Sequence, residues 1–477
     1  MKRWPTCGRF LLADIYNVTM AIRTTLLVTK LAGASSRWLG RGGGQALPGL
    51  IAERLDPHLA KKLAGRLPHG VILVTGTNGK TTTTKLVASM LEASGEKVLT
   101  NSTGSNLKRG VTSALIRAAD GRGGMRGYTI GLFEVDEASL RQVAPELEPR
   151  CIVVLNLFRD QLDRYGELDT TAALIGEGIA ATRAQLYLNA DDPLVASLST
   201  YAQESDLVHY FGIEGLPAGR GIALQTAADS DRCPVCRSRL EWSRVFYGHI
   251  GHYRCPRGHF GRPRPGVVIT NVDRADRRGT EFTVAVAGKR SEVNFPLPGI
   301  YNLYNALAAL SVSSGLGVET GAAVGVLGKT QAAFGRVERV EWQGRELYLL
   351  LIKNPAGFTQ VMETFLIGGK RQPVLLAIND LAADGRDVSW LWDVPLEALQ
   401  PAEPRVVVSG LRAADMALRL KYAGIEAQQV DDMEMALQKL VNLTPKGGVA
   451  YILPTYTAML AIRKVLSKKT QMEEVWK

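Results

Sequence analysis

Residues 75–84 read TGTNGKTTTT, directly after the apolar run VILV at 71–74 and before KLVASML. Two glycines, a lysine and a row of threonines between a strand and a helix match the needs of a bound polyphosphate. Those needs are backbone N–H groups at a helix N-terminus, an ammonium group and a hydroxyl for magnesium. Gly76 and Gly79 let the backbone turn and approach phosphates closely, Lys80 neutralises charge, and Thr81 offers its hydroxyl to Mg²⁺. Thr77, Asn78 and Thr82 complete the candidate nucleotide-binding loop. The spacing is G-x-x-G-K-T, with Val74 where the longer form of the motif has glycine.

Other polar groups fall where strands should end. YTIGLFEVDEA closes on carboxylates at 134, 136 and 137, and alternation from Leu132 puts Glu134 on the same face, as a magnesium carboxylate. A solvated acidic turn is the plainer alternative. In NLFRDQLDRYGELD, Asp160 and Asp163 are three apart and share a face if that stretch is helical, either as metal or substrate contacts or as an acidic helix start. NDLAADGRDVSWLWD sets aspartates around one glycine after the apolar run PVLLAI. Composition alone makes it a turn with side-chain-to-backbone hydrogen bonds and a packed tryptophan pair.

Three of the five cysteines are crowded together: CPVC at 233–236 and YRCPRGHF at 253–260 make one half of a zinc ribbon and most of the other. Cys233, Cys236 and Cys255 need a fourth ligand, and His259 supplies an imidazole, with His252 and His249 as alternatives. Such a closed set would be structural. The competing reading is a ribbon that holds by packing alone. Cys151, inside CIVVLNL, reads as core, and Cys7 lies near the N-terminus.

These residues need positioning elements. From about residue 70, short apolar runs alternate with helical patterns, which predicts a parallel sheet with helices on both faces and ligands at the strands' carboxyl ends. Between 215 and 292 the texture turns to glycine, proline, arginine and cysteine, and the whole stretch reads as an insertion. LPGIYNLYNALAALSVSSGLG then leads into a helix, and a second alternating set follows AAFGRVERVEW. The expected division is an N-terminal helix and linker (1–65), a central α/β domain (66–330) with a ribbon-like insertion at 230–262, and a smaller Rossmann-like α/β domain (331–477).

A chain of 477 residues with 46% hydrophobic and 22% charged residues has the composition of a globular protein of two or three domains. It contains no uninterrupted apolar run long enough to span a bilayer. Asp14 and Arg23 interrupt the early apolar section, so no signal peptide is expected, and Met20 is an alternative start that would leave residues 1–19 untranslated. The net charge of +11 suits an anionic partner. Aromatics are not interleaved with the basic residues as single-strand binders require, so no nucleic acid is expected. A basic helix around 21–38 offers peripheral contact with anionic lipid, or packs on the first domain.

TGTNGKTTTT, EVDEAS, NLFRDQLDRYGELD, LNADDP and GIYNLYNALAA together resemble the Mur ligases, which activate a carboxylate with ATP as an acyl phosphate. LIKNPAGF, NDLAADGRDVSWLWD and LPTYTAML narrow the resemblance to the MurT family, and it covers nearly the whole chain from about residue 20. The resemblance implies a Mur-ligase-type central ATP-binding domain and a cytoplasmic enzyme at the inner face of the membrane. Its substrate would be the D-glutamate α-carboxylate of the lipid II stem peptide, amidated to D-isoglutamine with ammonia from a GatD-like glutaminase partner. Lys80 and Thr81 match the family's phosphate and magnesium residues, Glu134 its magnesium-associated glutamate, and Asn302 and Asn305 the segment near the nucleotide base. An aspartate of D-G-R-D, Asp387 with Asp384 as runner-up, would complete the partner's Cys-His-Asp triad. The family carries a second C-x-x-C in its ribbon, and here Gly258 stands in its last position. An amino-acid-adding ligase of the same superfamily is the competing reading. The stretch before the strand at 71, mostly one helix and a linker, is too little for a UDP-sugar-binding domain.

Overall fold

The computed structural model describes residues 22–31, 47–101, 105–160, 168–216, 230–330, 337–369 and 371–470. Asp163 and Cys7 lie outside them, as do the parts of the proposed N-terminal helix and linker beyond 22–31 and before Leu47.

Two sheets organise the chain. The first set of strands is β1 (Val71–Thr75), β2 (Val98–Thr100), β3 (Ile130–Glu134), β4 (Cys151–Val154), β5 (Gln185–Asn189), β6 (Val208–Ile213), β7 (Glu241–Tyr247), β8 (Ile250–Arg254), β9 (Val267–Asp276), β10 (Gly279–Val286) and β11 (Lys289–Phe295). All but β7 and β8 form one nine-stranded sheet in the order β11-β10-β9-β6-β5-β4-β1-β3-β2. From β2 to β9 the pairing is parallel, with β1 between β3 and β4. VILVT of β1 is buried at every position, as a strand covered on both faces must be.

The expectation that 215–292 is one insertion is corrected here. GVVITNV and EFTVAVAG are β9 and β10, which with β11 extend the main sheet as an antiparallel meander. Only the hairpin β7–β8 and its flanking turns stand apart as a separate two-stranded sheet. Short tight turns explain the change from parallel to antiparallel, because a direct hairpin cannot join parallel neighbours.

Two helices lie side by side on one face of the large sheet: α1 (Lys80–Ala93), which begins at the glycine-rich loop, and α2 (Ile300–Gly315). Every residue of α2 from Asn302 to Ser313 is buried, which explains why IYNLYNALAALSVSSG lacks a polar stripe. The core is thereby split into one cluster on each face of the sheet.

The second set is β12 (Glu338–Trp342), β13 (Arg345–Leu349), β14 (Pro373–Ala377), β15 (Arg405–Ser409), β16 (Ala427–Gln429) and β17 (Val449–Pro454), in the order β12-β13-β17-β14-β15-β16. It is parallel except for the β12–β13 hairpin and has a hydrophobic cluster on each face. Helix α3 (Pro355–Val361) follows β13, and α4 (Tyr456–Ser467) follows β17. Among the described residues no helix is long and apolar enough to cross a membrane.

Candidate active site

The loop after β1 is built by its glycines and by what sits behind them. Gly76 has φ of +124° and Gly79 of +94°, both in the region that favours glycine. A Cβ on Gly79 would lie 2.1 Å from Asn305 Oδ1, and one on Gly76 would lie 3.0 Å from the Asn156 backbone. Gly79 therefore excludes a side chain by space as well as by dihedral, and at Gly76 a Cβ would crowd the Asn156 backbone. Asn156, just beyond β4, fixes the loop from behind. Its Oδ1 accepts from Asn78 N–H at 2.9 Å, its Nδ2 donates to Asn78 O at 3.0 Å, and its carbonyl accepts from Thr77 N–H at 2.9 Å. The Thr77 hydroxyl is spent on the Phe158 backbone, donating to its carbonyl and accepting from its N–H.

At the start of α1, Lys80 and Thr81 each meet a carboxylate. Lys80 Nζ donates to Glu137 Oε1 at 2.9 Å and to Gly76 O at 2.5 Å. Thr81 Oγ1 donates to Glu134 Oε2 at 3.0 Å. Burial penalises the Lys80 ammonium, but the charge and hydrogen bond of Glu137 outweigh it and hold its pKa above the usual lysine value. Burial likewise opposes ionisation of Glu137, and Lys80 outweighs that, so its pKa is lowered. Asn101, past β2, sets the Glu134 backbone with bonds of 2.9 Å to both its N–H and its carbonyl.

Asn305 on α2 lines the cleft above Gly79, whereas Asn302 stands behind it. Asn302 Oδ1 accepts from Asn305 Nδ2 at 3.1 Å, and its own amide donates to Pro298 O at 2.7 Å. Thr83 Oγ1 donates to Asn305 Oδ1 at 3.3 Å, tying α2 to α1.

The second sheet's unit reaches the same loop. Lys353 Nζ pairs with Asp160 Oδ2 at 2.6 Å and donates to Thr77 O at 3.2 Å. Asn354 Nδ2 donates to Asn78 Oδ1 at 3.1 Å, while its own Oδ1 caps α3 at Gly357 N–H. Between the two units lies a cleft walled by Asn78, Gly79, Thr82 and Asn305 on one side and by Leu351, Gly357 and Gln360 on the other. One turn beyond, burial pushes the Glu363 carboxyl up to about 7 against the opposing hydrogen bond from Gln360.

At the ribbon, the sulfurs of Cys233, Cys236 and Cys255 all lie within 4.8 Å of one another. Each cysteine-bearing segment is a tight turn closed by backbone bonds: Cys233 N–H to Ser238 O at 2.8 Å and Cys255 N–H to Phe260 O at 2.7 Å. Hydrogen bonds from Ser238, and then from His259, pull the Cys236 thiol down to about 5. His259 thus neighbours Cys236, while the ligand atoms that converge are those of the three cysteines. His252 is turned elsewhere, its Nε2 2.7 Å from Ile213 O. His249 is fully buried in the main unit, its ring 4.6 Å from that of Phe158 and its Nε2 3.5 Å from Asp192 Oδ2. Three convergent thiols, one of them prone to ionise, and an adjacent imidazole fit a tetrahedral zinc ion. Cys151 is fully buried, and burial raises its thiol to about 12, as a core cysteine requires.

The two candidate aspartates of the second unit differ in kind. Asp384 is 8% exposed and spent internally: it accepts from Thr457 N–H at 2.7 Å, from Thr457 Oγ1 at 2.5 Å and from Leu381 N–H at 3.1 Å. It ties its loop to the start of α4. Asp387 is half-buried and accepts from Ser389 N–H at 2.8 Å.

Glu137, Asn156, Lys353 and Asn354 were not singled out by the sequence reading. Glu137 carried a signal as one of three carboxylates at a strand end. Lys353 and Asn354 lay within the quoted LIKNPAGF, but no local rule says that a loop so distant in sequence will dock on residues 77 and 78.

A family model of the Mur ligase middle domain matches residues 74–244, and one of the MurT ligase C-terminal region matches 351–459. The chain is 33% identical over 457 residues to the Streptococcus pneumoniae protein named lipid II isoglutaminyl synthase (glutamine-hydrolyzing) subunit MurT, an alignment covering 94% of this chain and 98% of that one. It is 31% identical to the Staphylococcus aureus protein of the same name, covering 93% and 98%. Among solved structures, a pseudomurein peptide ligase type C from Methanothermus fervidus superposes with a TM-score of 0.67 at 22% identity, covering 83% of this chain and 78% of that one.

Proposed function

The chain belongs to the MurT family of Mur ligases, and from that membership we propose that it is the ATP-dependent synthetase subunit of a lipid II isoglutaminyl synthase. It would convert the D-glutamate α-carboxylate of the stem peptide to D-isoglutamine during peptidoglycan synthesis. The observation that carries this reading is the phosphate loop bearing Lys80 and the Thr81–Glu134 pair, set in a cleft closed by the MurT-type unit.

A carboxylate is a poor acyl donor because its leaving group would be oxide. Attack of a carboxylate oxygen on the γ-phosphorus of ATP expels ADP and leaves an acyl phosphate. Ammonia nitrogen then adds to the acyl carbon, phosphate departs, and the nitrogen sheds a proton. Catalysis is therefore mostly charge neutralisation and in-line positioning. Glycine-loop N–H groups hold the phosphates, and Lys80, kept charged by Glu137, faces the charge that develops during transfer. Thr81 and Glu134 would hold Mg²⁺, which would supply positive charge to neutralise the phosphates. Asn305 and the far wall of the cleft would take the base.

Ammonia must be neutral to attack, which favours delivery from an adjoining glutaminase subunit of the GatD kind. Asp387 is the group that would orient that partner's histidine, because Asp384 is spent on α4. The same unit has exposed apolar residues that suit a protein partner: Leu381, Trp392, Leu411 and Tyr422 are between 49% and 72% exposed. At the ribbon, Cys233, Cys236, Cys255 and His259 would hold a structural zinc ion. A polyprenyl-linked substrate places the work at the inner face of the membrane, in peripheral contact only.

The deciding experiment is lipid II amidation by the purified chain, with and without a co-expressed glutaminase, supplied with ammonium or glutamine. Ammonium should suffice alone, while glutamine should work only with the partner and fail with Asp387→Asn. Joining of a free amino acid without any partner would overturn the proposal in favour of a conventional ligase.

A further inference from the structure

The tip of the inserted hairpin lies at the opposite end from the thiol cluster. Strand β8 runs five residues from Ile250 to Arg254, immediately before Cys255, while the opposite end of the hairpin enters the main unit. There Phe246, Tyr247, His249 and Ile250 are all buried. Tyr247 stacks on Phe158 with ring centres 5.7 Å apart and planes at 26°, and meets Tyr304 of α2 edge-on at 5.9 Å. The connecting Gly248 has φ of +52°, and a Cβ there would lie 2.9 Å from the Phe158 ring. Main-unit partners fix the hairpin independently of the cysteines: Gly251 N–H donates to Asp191 O at 2.8 Å and Tyr253 OH to Ala190 O at 3.1 Å.

Tyr247 and Phe158 form part of the wall of the cleft that Gly79 and Asn305 also line. With Tyr301 they give it an aromatic end, next to a loop that takes phosphates. A flat π-system is the ligand class such a wall selects, since bases stack on aromatic side chains.

We propose that the ribbon hairpin is part of the nucleotide site, with Tyr247 as a binding and specificity residue that stacks on the purine base of the bound triphosphate. This rests on the nucleotide reading above and deepens it. Stacking favours a purine over the smaller pyrimidine ring, so Tyr247 contributes to base choice as well as to affinity.

The test compares binding of ATP, CTP and inorganic tripolyphosphate to the full-length chain, wild type against Tyr247→Leu and Tyr247→Phe, by calorimetry with magnesium present. Tyr247→Leu should weaken ATP about tenfold and narrow the ATP-over-CTP preference. It should leave tripolyphosphate within about twofold, and Tyr247→Phe should stay near wild type. Equal loss for ATP and tripolyphosphate would mean a packing role only and overturns the proposal, as does unchanged ATP binding. Photolabelling of the wild-type chain with 2-azido-ATP covers the case in which Tyr247→Leu does not fold. Label on the peptide containing Tyr247 supports the proposal, and label confined to other peptides overturns it. If wild type binds tripolyphosphate and ATP alike, the base-stacking role fails while the phosphate loop stands. If it binds neither, the nucleotide reading falls first and this inference with it.

Discussion

Lys80 and Glu137 are each almost fully enclosed, with side-chain exposures of 12% and 8%, so each is the other's main compensation for lost hydration. Removing one partner of a buried pair typically costs about 3–5 kcal/mol, because the other charge is left stranded. Lys80→Met should therefore lower the melting temperature as well as abolish amidation. Adding Glu137→Gln should restore much of the stability and none of the activity, as read by calorimetry beside turnover. The pH dependence follows from the directions of the shifts. Glu137, lowered on folding, contributes stability above its unfolded value near 4.5 that is lost as pH falls through the folded pKa. Lys80, raised on folding, contributes stability below its unfolded value near 10.5 that is lost as pH rises through the folded pKa. Neutral pH thus retains the pair intact. A melting series in which the double variant, relative to wild type, gains nothing on acidification would contradict this account.

At the level of elements, what the sequence made legible was local. The glycine loop, the strand before it and α1 after it follow a short motif whose chemistry dictates its shape, and the structure has β1, the loop and α1 in that order. GVVITNV and EFTVAVAG read as strand-like, but their glycine- and arginine-rich surroundings match the neighbouring ribbon and group them with it, because texture carries no information about which strand becomes a neighbour. Asn156 was passed over for a related reason: an asparagine after an apolar run marks a strand end, but nothing nearby says that it will cradle residue 78. In the ribbon, three cysteines converge and the sequence offers His259, not a fourth cysteine, as the remaining ligand. A Cys₃His set predicts about one zinc per chain by metal analysis, lost in Cys255→Ser and strongly weakened in His259→Ala. Retention of full zinc in His259→Ala would assign the fourth ligand elsewhere.

On the scale of the whole molecule, the two sheeted units meet at the phosphate loop itself. Lys353 and Asn354 touch the backbone of Thr77 and the side chain of Asn78, so closure of the cleft and shaping of the loop are one event. The Lys353–Asp160 pair is partly exposed, at 29% and 15%, and worth little for global stability by itself. Its expected importance is positional. Lys353→Ala should leave the melting temperature within a few degrees, expand the nucleotide-free chain in small-angle X-ray scattering, and raise KM for ATP more than it lowers kcat. An unchanged scattering profile with unchanged KM would show that the junction is held by the rest of the interface.

Strands β6 and β9 are parallel neighbours, yet the chain runs from Ile213 through the whole ribbon before Val267 completes the pair. In folding time the β6–β9 seam is a non-local pairing, as are β1–β3 and β1–β4 within the parallel half. Closing a longer loop adds only slowly to the entropy cost, as the logarithm of its length, but non-local pairings of this kind slow the search for the native topology. The antiparallel meander β9–β11 pairs sequence neighbours and can form before it joins the parallel half. A ribbon folded around its own turns shortens the free chain between them, and the insertion that divides the sheet in sequence would then help its halves to meet.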